Sequence, residues 1–347
     1  MGQSEAEARG FIMKKVNFAI IGCGLISEIH ASAVVELDCA ELVGAWDLDP
    51  ERAKDFCQKY SGSPYNSLDE LLGDDKVDAV CICTPSIAHK DQAIAALKAG
   101  KHVVLEKPMS LCEEDAKEVC DVAESEGKLL TVVSQTRFSE DIQKVKKLIS
   151  ENAFGKLCFC DLYMKYYRSP EYFSESPWRG RKKYDGGGAL MNQGIHGIDL
   201  MRYLVGDAKL LRGRVKTLVH DVEVEDSAVA LLEYECGALG VIEGSTCAAP
   251  GFRRRIVING ERGYVILSDT TIEKLCIDGK MLISQEIDPH PSTAASPKLA
   301  SNELHKAQLL NFISAINKEA ELVVTPYDGY YAVSLIKSIY KSSENMN

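Results

Sequence analysis

The sequence predicts an α/β protein of two domains: an N-terminal doubly wound parallel sheet, then a C-terminal α/β domain with a large open, mostly antiparallel sheet. Three observations lead there. The chain has 347 residues, long for one core and suited to two. From Val16 to about Gln135, short apolar runs alternate with helix-patterned segments, the rhythm of parallel strands joined by crossover helices. After that point, longer strand-like runs succeed one another across turns with little helix between them.

Residues 16–22 (VNFAIIG) form a short apolar run, as a strand buried on both faces requires. A glycine turn leads into a helix that continues to about Leu37, and residues 41–46 (ELVGAW) give a second strand. Asp49 is placed to cap the next helix, with Pro50 at its first position. Residues 77–83 are a third strand, 87–99 a helix stopped by Gly100, 102–105 a fourth strand and 129–134 a further one. A helix over residues 140–152 opens the second half. Strands are expected at 156–167, 210–219, 227–234, 238–245, 253–259 and 263–268, with turns at Glu235-Cys236-Gly237, Asn259-Gly260 and Asp278-Gly279. Residues 192–205, 303–318 and 327–342 read as helices, and the polar, Pro- and Ser-containing stretch 288–301 as a loop. The domain boundaries are set at 13–134 and 135–347. Residues 1–12 are polar and acidic and read as an appended or unstructured leader.

Composition narrows the function. There are 51 acidic against 40 basic residues, a formal charge of −11, which repels phosphate backbones and argues against nucleic acid as a partner. No apolar run nears the ~20 residues of a membrane-spanning helix, and the leader has no apolar core of a secretion signal. Twelve cysteines occur without a Cys-x-x-Cys pair, so no metal site is expected. Cys81 and Cys83, like Cys158 and Cys160, have the two-residue spacing of one strand face. Reduced structural thiols and a cytoplasmic location are expected.

Gly22-Cys23-Gly24-Leu25-Ile26-Ser27 comes directly after the first strand and opens a helix. Glycines at 22 and 24 permit the tight turn and bring backbone N–H groups, including those of Leu25 and Ile26, to a pyrophosphate at the helix N-terminus. Asp47 ends the second strand, where a carboxylate accepts hydrogen bonds from the ribose 2′-hydroxyl and repels a 2′-phosphate. Leu48 comes next, not a phosphate-gripping cation. The expected fold is a Rossmann domain binding NAD in preference to NADP.

Further motifs are Thr84-Pro85 with His89, Glu106-Lys107-Pro108, Trp178-Arg179, and the run from Gly186-Gly187-Gly188 through Asn192, His196 and Asp199. In this order and spacing, the chain from about Lys14 resembles the Gfo/Idh/MocA family, the glucose–fructose oxidoreductase and inositol dehydrogenase group. The resemblance implies hydride transfer between NAD and a hydroxyl or carbonyl of a sugar or cyclitol. It places Lys107 in the active site and His196 at the reacting hydroxyl. It implies a sugar-like small-molecule substrate and a homodimer or homotetramer built through the open sheet.

Oxidising an alcohol requires removal of the hydroxyl proton and stabilisation of developing alkoxide. Histidine titrates near neutrality, and a lysine beside a cationic nicotinamide has its pKa lowered, so either His196 or Lys107 can be the base. His196 is favoured as base, with Lys107 polarising the oxygen. Thr84, Pro85, His89, Glu106 and Lys107 are assigned to the cofactor side. His89 equally suits capping of the following helix. Lys107, Arg168, Trp178, Arg179, Asn192 and His196 are assigned to substrate; aromatic faces and guanidinium groups suit sugar rings and their anionic substituents. Tyr172 belongs to that same stretch, which equally suits a subunit contact or a plain loop. Asp199 either supports His196 or packs its helix. The inositol dehydrogenase pattern has aspartate where Asn192 stands; the run Met191-Asn192-Gln193-Gly194-Ile195-His196 looks more like the sugar 3-dehydrogenases of the same family, including those of UDP-N-acetylglucosaminuronate. The sequence therefore favours oxidation at C3 of a pyranose. The alternatives are an NADPH-dependent keto-sugar reductase, an inositol dehydrogenase, and a non-catalytic NAD(P)-binding sensor.

Overall fold

In the computed structural model, which describes residues 13–175, 178–290 and 301–345, two sheets are built in succession. The first contains β1 (Val16–Ile21), β2 (Ala40–Trp46), β3 (Ser63–Pro64), β4 (Ala79–Ile82), β5 (His102–Leu105) and β6 (Leu130–Val132). Its order is β3-β2-β1-β4-β5-β6, with every pair parallel. Phe18, Ile20 and Ile21 of β1 are fully buried, which explains the unbroken apolar run. Strand order reverses beside β1, between β2 and β4. That switch point puts the loops after β1, β4 and β5 along one crevice. The predicted leader and residues 291–300 of the predicted loop lie outside the described residues.

The second sheet contains β7 (Leu157–Lys165), β8 (Ala208–Lys216), β9 (Ser227–Tyr234), β10 (Leu239–Ser245), β11 (Arg255–Gly260), β12 (Gly263–Ser268), β13 (Thr271–Ile277) and β14 (Lys280–Ser284). Its order is β14-β13-β12-β11-β7-β10-β9-β8; β7 and β10 pair parallel and the rest antiparallel. Alternation sorts its side chains. Cys160, Leu162, Met164, Leu232, Ile242 and Ile256 are buried in the core with residues of the helices Ile195–Val205 and Pro326–Glu344. Phe159, Val229, Leu231 and Leu239 point the other way and stay 45–53% exposed.

The helix Glu303–Ile316 returns to the first sheet, where Leu309, Phe312 and Ile313 join Phe18, Val34 and Val104 in one apolar cluster. Gln308 there accepts from Ser134 N (3.0 Å) and donates to Val132 O (2.9 Å). A buried ion network also ties distant segments. Arg137 grips both oxygens of Asp199 (2.8 and 2.6 Å) and donates to Asp328 (2.7 Å), which Arg202 also contacts.

Some elements escape the sequence. The helix Glu113–Ser125 carries mostly small apolar groups on its buried face (Ala116, Val119, Ala123) among acids, too weak a stripe to stand out. The helix Leu68–Gly73, the two-residue β3, and β13 and β14 flanking the predicted Asp278-Gly279 turn also escape it. The helix expected over 192–205 starts at Ile195, after a π-helical turn at Ala189–Gly194.

Candidate active site

A cavity of about 750 Å³ opens at the carboxyl ends of β1, β4 and β5. Of the predicted residues, Gly22, Gly24, Leu25, Ile26, Asp47, Thr84, Pro85, Glu106, Lys107, Trp178, Arg179 and Asn192 line it. Gly22 has φ +91°, and a Cβ there would stand 2.7 Å from Thr84 Cγ2, so the turn requires glycine. A Cβ at Gly24 would meet nothing within 4 Å; that side faces the open cleft. Asp47 accepts from Cys23 N (2.8 Å) and Asp49 N (2.9 Å), so it holds the glycine turn while facing the cavity. These features fit a dinucleotide: room for a pyrophosphate against the backbone and a fixed carboxylate for a ribose. Arg52, one helical turn on, lies 3.5 Å from Asp47 and 3.7 Å from Asp49. The sequence draws attention only to the position directly after Asp47, so Arg52 escapes it.

His89 and Arg168 do not line the cavity. His89 is buried with its ring between the carbonyl oxygens of Thr84 (2.9 Å) and Pro108 (2.7 Å). It ties the two cofactor-side loops together. Arg168 donates to Gln193 Oε1 (2.6 Å), and Gln193 Nε2 donates to the Tyr172 hydroxyl (3.0 Å). Arg179 stacks on Tyr172, 4.4 Å from the ring centre, and on Trp178, at 5.4 Å. The predicted aromatic and basic stretch is thus one packed wall.

Lys107 joins the two halves of the site. Its Nζ donates to the backbone carbonyl of Asn192 (3.0 Å), across from the Rossmann loop to the π-helical turn. Burial pushes its pKa below the ordinary lysine value and Arg168 adds to this; Glu106 and Asp185 oppose it. His196 opens the helix Ile195–Val205 and is half-buried; it is not on the cavity wall. Burial, then the charges of Lys107 and Arg254, push its pKa down to about 3, so the ring stays neutral. Asp199, three residues on, turns away to Arg137 and holds the helix, not His196.

Asp185 escapes the sequence, and Glu106, assigned there to the cofactor side, has a partner that no spacing reveals. Asp185, just before the glycine run, is buried and lines the cavity. Glu106 is buried behind Lys107. It accepts from Lys107 N (3.2 Å) and pairs with His30 (2.9 Å), 76 residues away. Burial opposes both charges. The mutual hydrogen bond overcomes it, together with Cys81 beside His30, and takes His30 up to about 10 and Glu106 down to about 2. His305 stands beside this pair, and one polar side-chain atom of each of the three lies within 4.8 Å of the others.

A glycine turn at the switch point of a parallel sheet, an acid at the end of β2 and a lysine facing the crevice define a dinucleotide-binding oxidoreductase. Models of the oxidoreductase family's NAD-binding Rossmann fold and of the GFO/IDH/MocA C-terminal domain match residues 16–134 and 142–266, and the chain belongs to the Gfo/Idh/MocA family. Among solved structures, it is 31% identical to the WlbA dehydrogenase of Bordetella pertussis in complex with NADH and UDP-GlcNAcA. The TM-score is 0.84, over 96% of this chain and 98% of that one. Among curated relatives, it is 28% identical to a myo-inositol 2-dehydrogenase of Thermotoga maritima over 74% of this chain and 77% of the relative. It is 25% identical to the D-glucoside 3-dehydrogenase of Escherichia coli over 94% and 95%. The chain is therefore an NAD-binding oxidoreductase of a family that acts on sugars and polyols. No helix among the described residues is long and apolar enough to cross a membrane.

Proposed function

We propose that this protein is an NAD-dependent dehydrogenase that oxidises a secondary hydroxyl, at C3, of a pyranose. The observation that carries the reading is the place of Lys107, on the cavity wall and bonded to Asn192 O, where the cofactor crevice meets the glycine-rich segment. Bound NAD⁺ supplies the hydride acceptor. Lys107 takes the hydroxyl proton. The sequence favours His196 for that task; a ring held neutral down to about pH 3 is a weak base, whereas Lys107 is lowered towards a working range and lines the cavity. His196 is assigned a hydrogen bond to the reacting oxygen. On the cavity wall, Trp178 offers an aromatic face to the ring and Arg179, backed by Tyr172, a cation for an anionic substituent. Likeness to a D-glucoside 3-dehydrogenase and to WlbA supports C3 and a pyranose, free, glycosidic or nucleotide-linked. Asp47 supports NAD over NADP. Arg52 alone favours the NADPH reading, and its contacts with Asp47 and Asp49 weaken it as a phosphate ligand. The half-exposed apolar face of the second sheet supports a homo-oligomer, and twelve unpaired cysteines support a reducing, cytoplasmic setting.

The test is NADH absorbance after mixing the protein with NAD⁺ and free pyranoses, glycosides, UDP-sugars or inositols. A rise with one pyranose class, lost in Lys107→Ala, is expected. A rise with inositols alone, or activity surviving Lys107→Ala within a few-fold, would overturn the reading.

A further inference from the structure

Asp185 is a buried carboxylate on the cavity wall. Its two acceptor bonds come from neutral donors, Gly180 N (2.7 Å) and Asn192 Nδ2 (3.4 Å). Among the described residues, no cation stands within ion-pair distance of it. A buried anion without an ionic partner is costly, and burial accordingly raises its pKa. Asn192 is the shared link. Its side chain donates to Asp185, and its backbone carbonyl accepts from Lys107 Nζ (3.0 Å). The carboxylate therefore stands one residue away from the amine that gains a positive charge during the reaction.

We propose that Asp185 is a positioning residue for proton transfer, the carboxylate that balances, across Asn192, the charge Lys107 acquires. The inference rests on the assignment of Lys107 as proton acceptor. In the oxidation, the carbinol C–H electron pair leaves as hydride to the nicotinamide ring, which is reduced. The O–H proton passes to Lys107 Nζ, and the carbon–oxygen bond becomes double. The site thus carries a lone buried anion before the proton moves and a neighbouring pair of opposite charges afterwards. The other charged groups facing Lys107 are Glu106, already paired with His30, and Arg168; Arg179 faces Asp185, and neutral His196 lies alongside. Glu106 already has its counter-charge, so Asp185 is the carboxylate free to answer a change at Lys107.

The test compares wild type with Asp185→Asn, which keeps the shape and drops the charge. The first readout needs no substrate: the pH dependence of Lys107 acetylation by trace acetic anhydride, followed by peptide mass spectrometry. Removing the carboxylate should lower the Lys107 midpoint by about one pH unit, roughly a tenfold rise in the neutral amine below the midpoint. Asp185→Ser, which retains an acceptor for Gly180 N–H, should give the same shift and guards against a folding defect in the amide. The second readout is kcat/KM against pH with whichever sugar class the NADH assay identifies. Its acid limb should move down by the same amount, and Asp185→Glu should restore it in part. An unmoved Lys107 midpoint in a folded variant that still binds NADH overturns the proposal. So does a moved midpoint with an unmoved acid limb. If wild type oxidises no sugar, the proposed reaction fails on its own account, and the acetylation arm still decides whether Asp185 and Lys107 are coupled.

Discussion

Replacing Asp47 with alanine should change cofactor choice more than cofactor affinity alone. The carboxylate touches Cys23 N and Asp49 N at 2.8 and 2.9 Å and faces the cavity where the ribose would lie. Hydrogen bonds from ribose hydroxyls to a charged acceptor contribute about 1.5–3 kcal/mol, and loss of the two backbone acceptor contacts loosens the glycine turn further. NADH affinity should therefore drop by about 10- to 100-fold. The effect on a 2′-phosphate has the opposite sign. A doubly charged phosphate ~4 Å from the carboxylate is repelled by about 2 kcal/mol even at the dielectric of water, roughly 30-fold in Kd. In Asp47→Ala that repulsion vanishes and Arg52, 3.5 Å from Asp47 in the wild type, is released towards the cleft. The ratio of NADPH to NADH dissociation constants should fall from at least ~30 to within a few-fold of one. Fluorescence titration of both nucleotides at one fixed ionic strength measures it. A ratio unchanged within two-fold would show that Asp47 serves only the glycine turn.

Two glycine variants should separate folding from binding. A Cβ at Gly188 would fall on the Glu225 carbonyl oxygen, so Gly188→Ala should cost at least about 2 kcal/mol in urea unfolding, whereas Gly24→Ala meets nothing and should stay within about 0.5 kcal/mol while weakening NADH binding. The reverse order of stabilities would refute the packing argument. His102 accepts from Leu129 N (3.0 Å), and burial lowers its pKa to about 4, below its unfolded value of 6.5. Its contribution is intact above pH 6.5 and is lost as pH falls from 6.5 to about 4, where the unfolded chain binds the extra proton. His102→Asn, whose Oδ1 can replace Nδ1 as acceptor, should flatten that stretch of the curve; thermal melts from about pH 4 to 8 report it. Light scattering should find a dimer or tetramer, and Phe159→Lys with Leu231→Lys should reduce it to the single-chain mass without loss of helix content.

Local features were legible in the chain, and assembled ones were not. Gly22, Gly24 and Asp47 were legible because a turn, a helix start and a strand end lie within a stretch of 26 residues whose spacing is fixed by one βαβ unit. The buried inner face of the second sheet was legible through alternation, as at Cys160, Leu162 and Met164. Arg137 was illegible: it reads as one more cation, yet it is fully buried between Asp199 and Asp328, 62 and 191 residues away. His30 is likewise ordinary, and Glu106 only a motif residue, until the fold brings together two positions 76 apart. Asp185 sits one position before a motif that draws attention to its glycines and histidine. No periodicity marks a carboxylate whose acceptor bonds come from Gly180 N and the Asn192 side chain.

The glycine run shows why these two levels meet at the site. Gly187 and Gly188 let the backbone approach the Tyr340 hydroxyl and the Glu225 carbonyl, closer than any side chain would allow. Glu225 then clamps the next stretch of backbone: its carboxylate accepts from Gly188 N (2.8 Å), Leu190 N (2.9 Å) and the Tyr340 hydroxyl (2.7 Å). The π-helical turn that carries Asn192 is therefore fixed at its first residues by the segment before β9 and by the C-terminal helix Pro326–Glu344. Lys107 reaches Asn192 O from the other sheet. The Lys107–Asn192 contact is consequently set by two bodies, one anchored through Glu225 and Tyr340, the other through Glu106 and His30. A carbonyl acceptor is the sensible choice at that junction. It accepts a hydrogen bond from the lysine whether the amine is charged or neutral, so the geometry does not depend on the protonation state of Lys107.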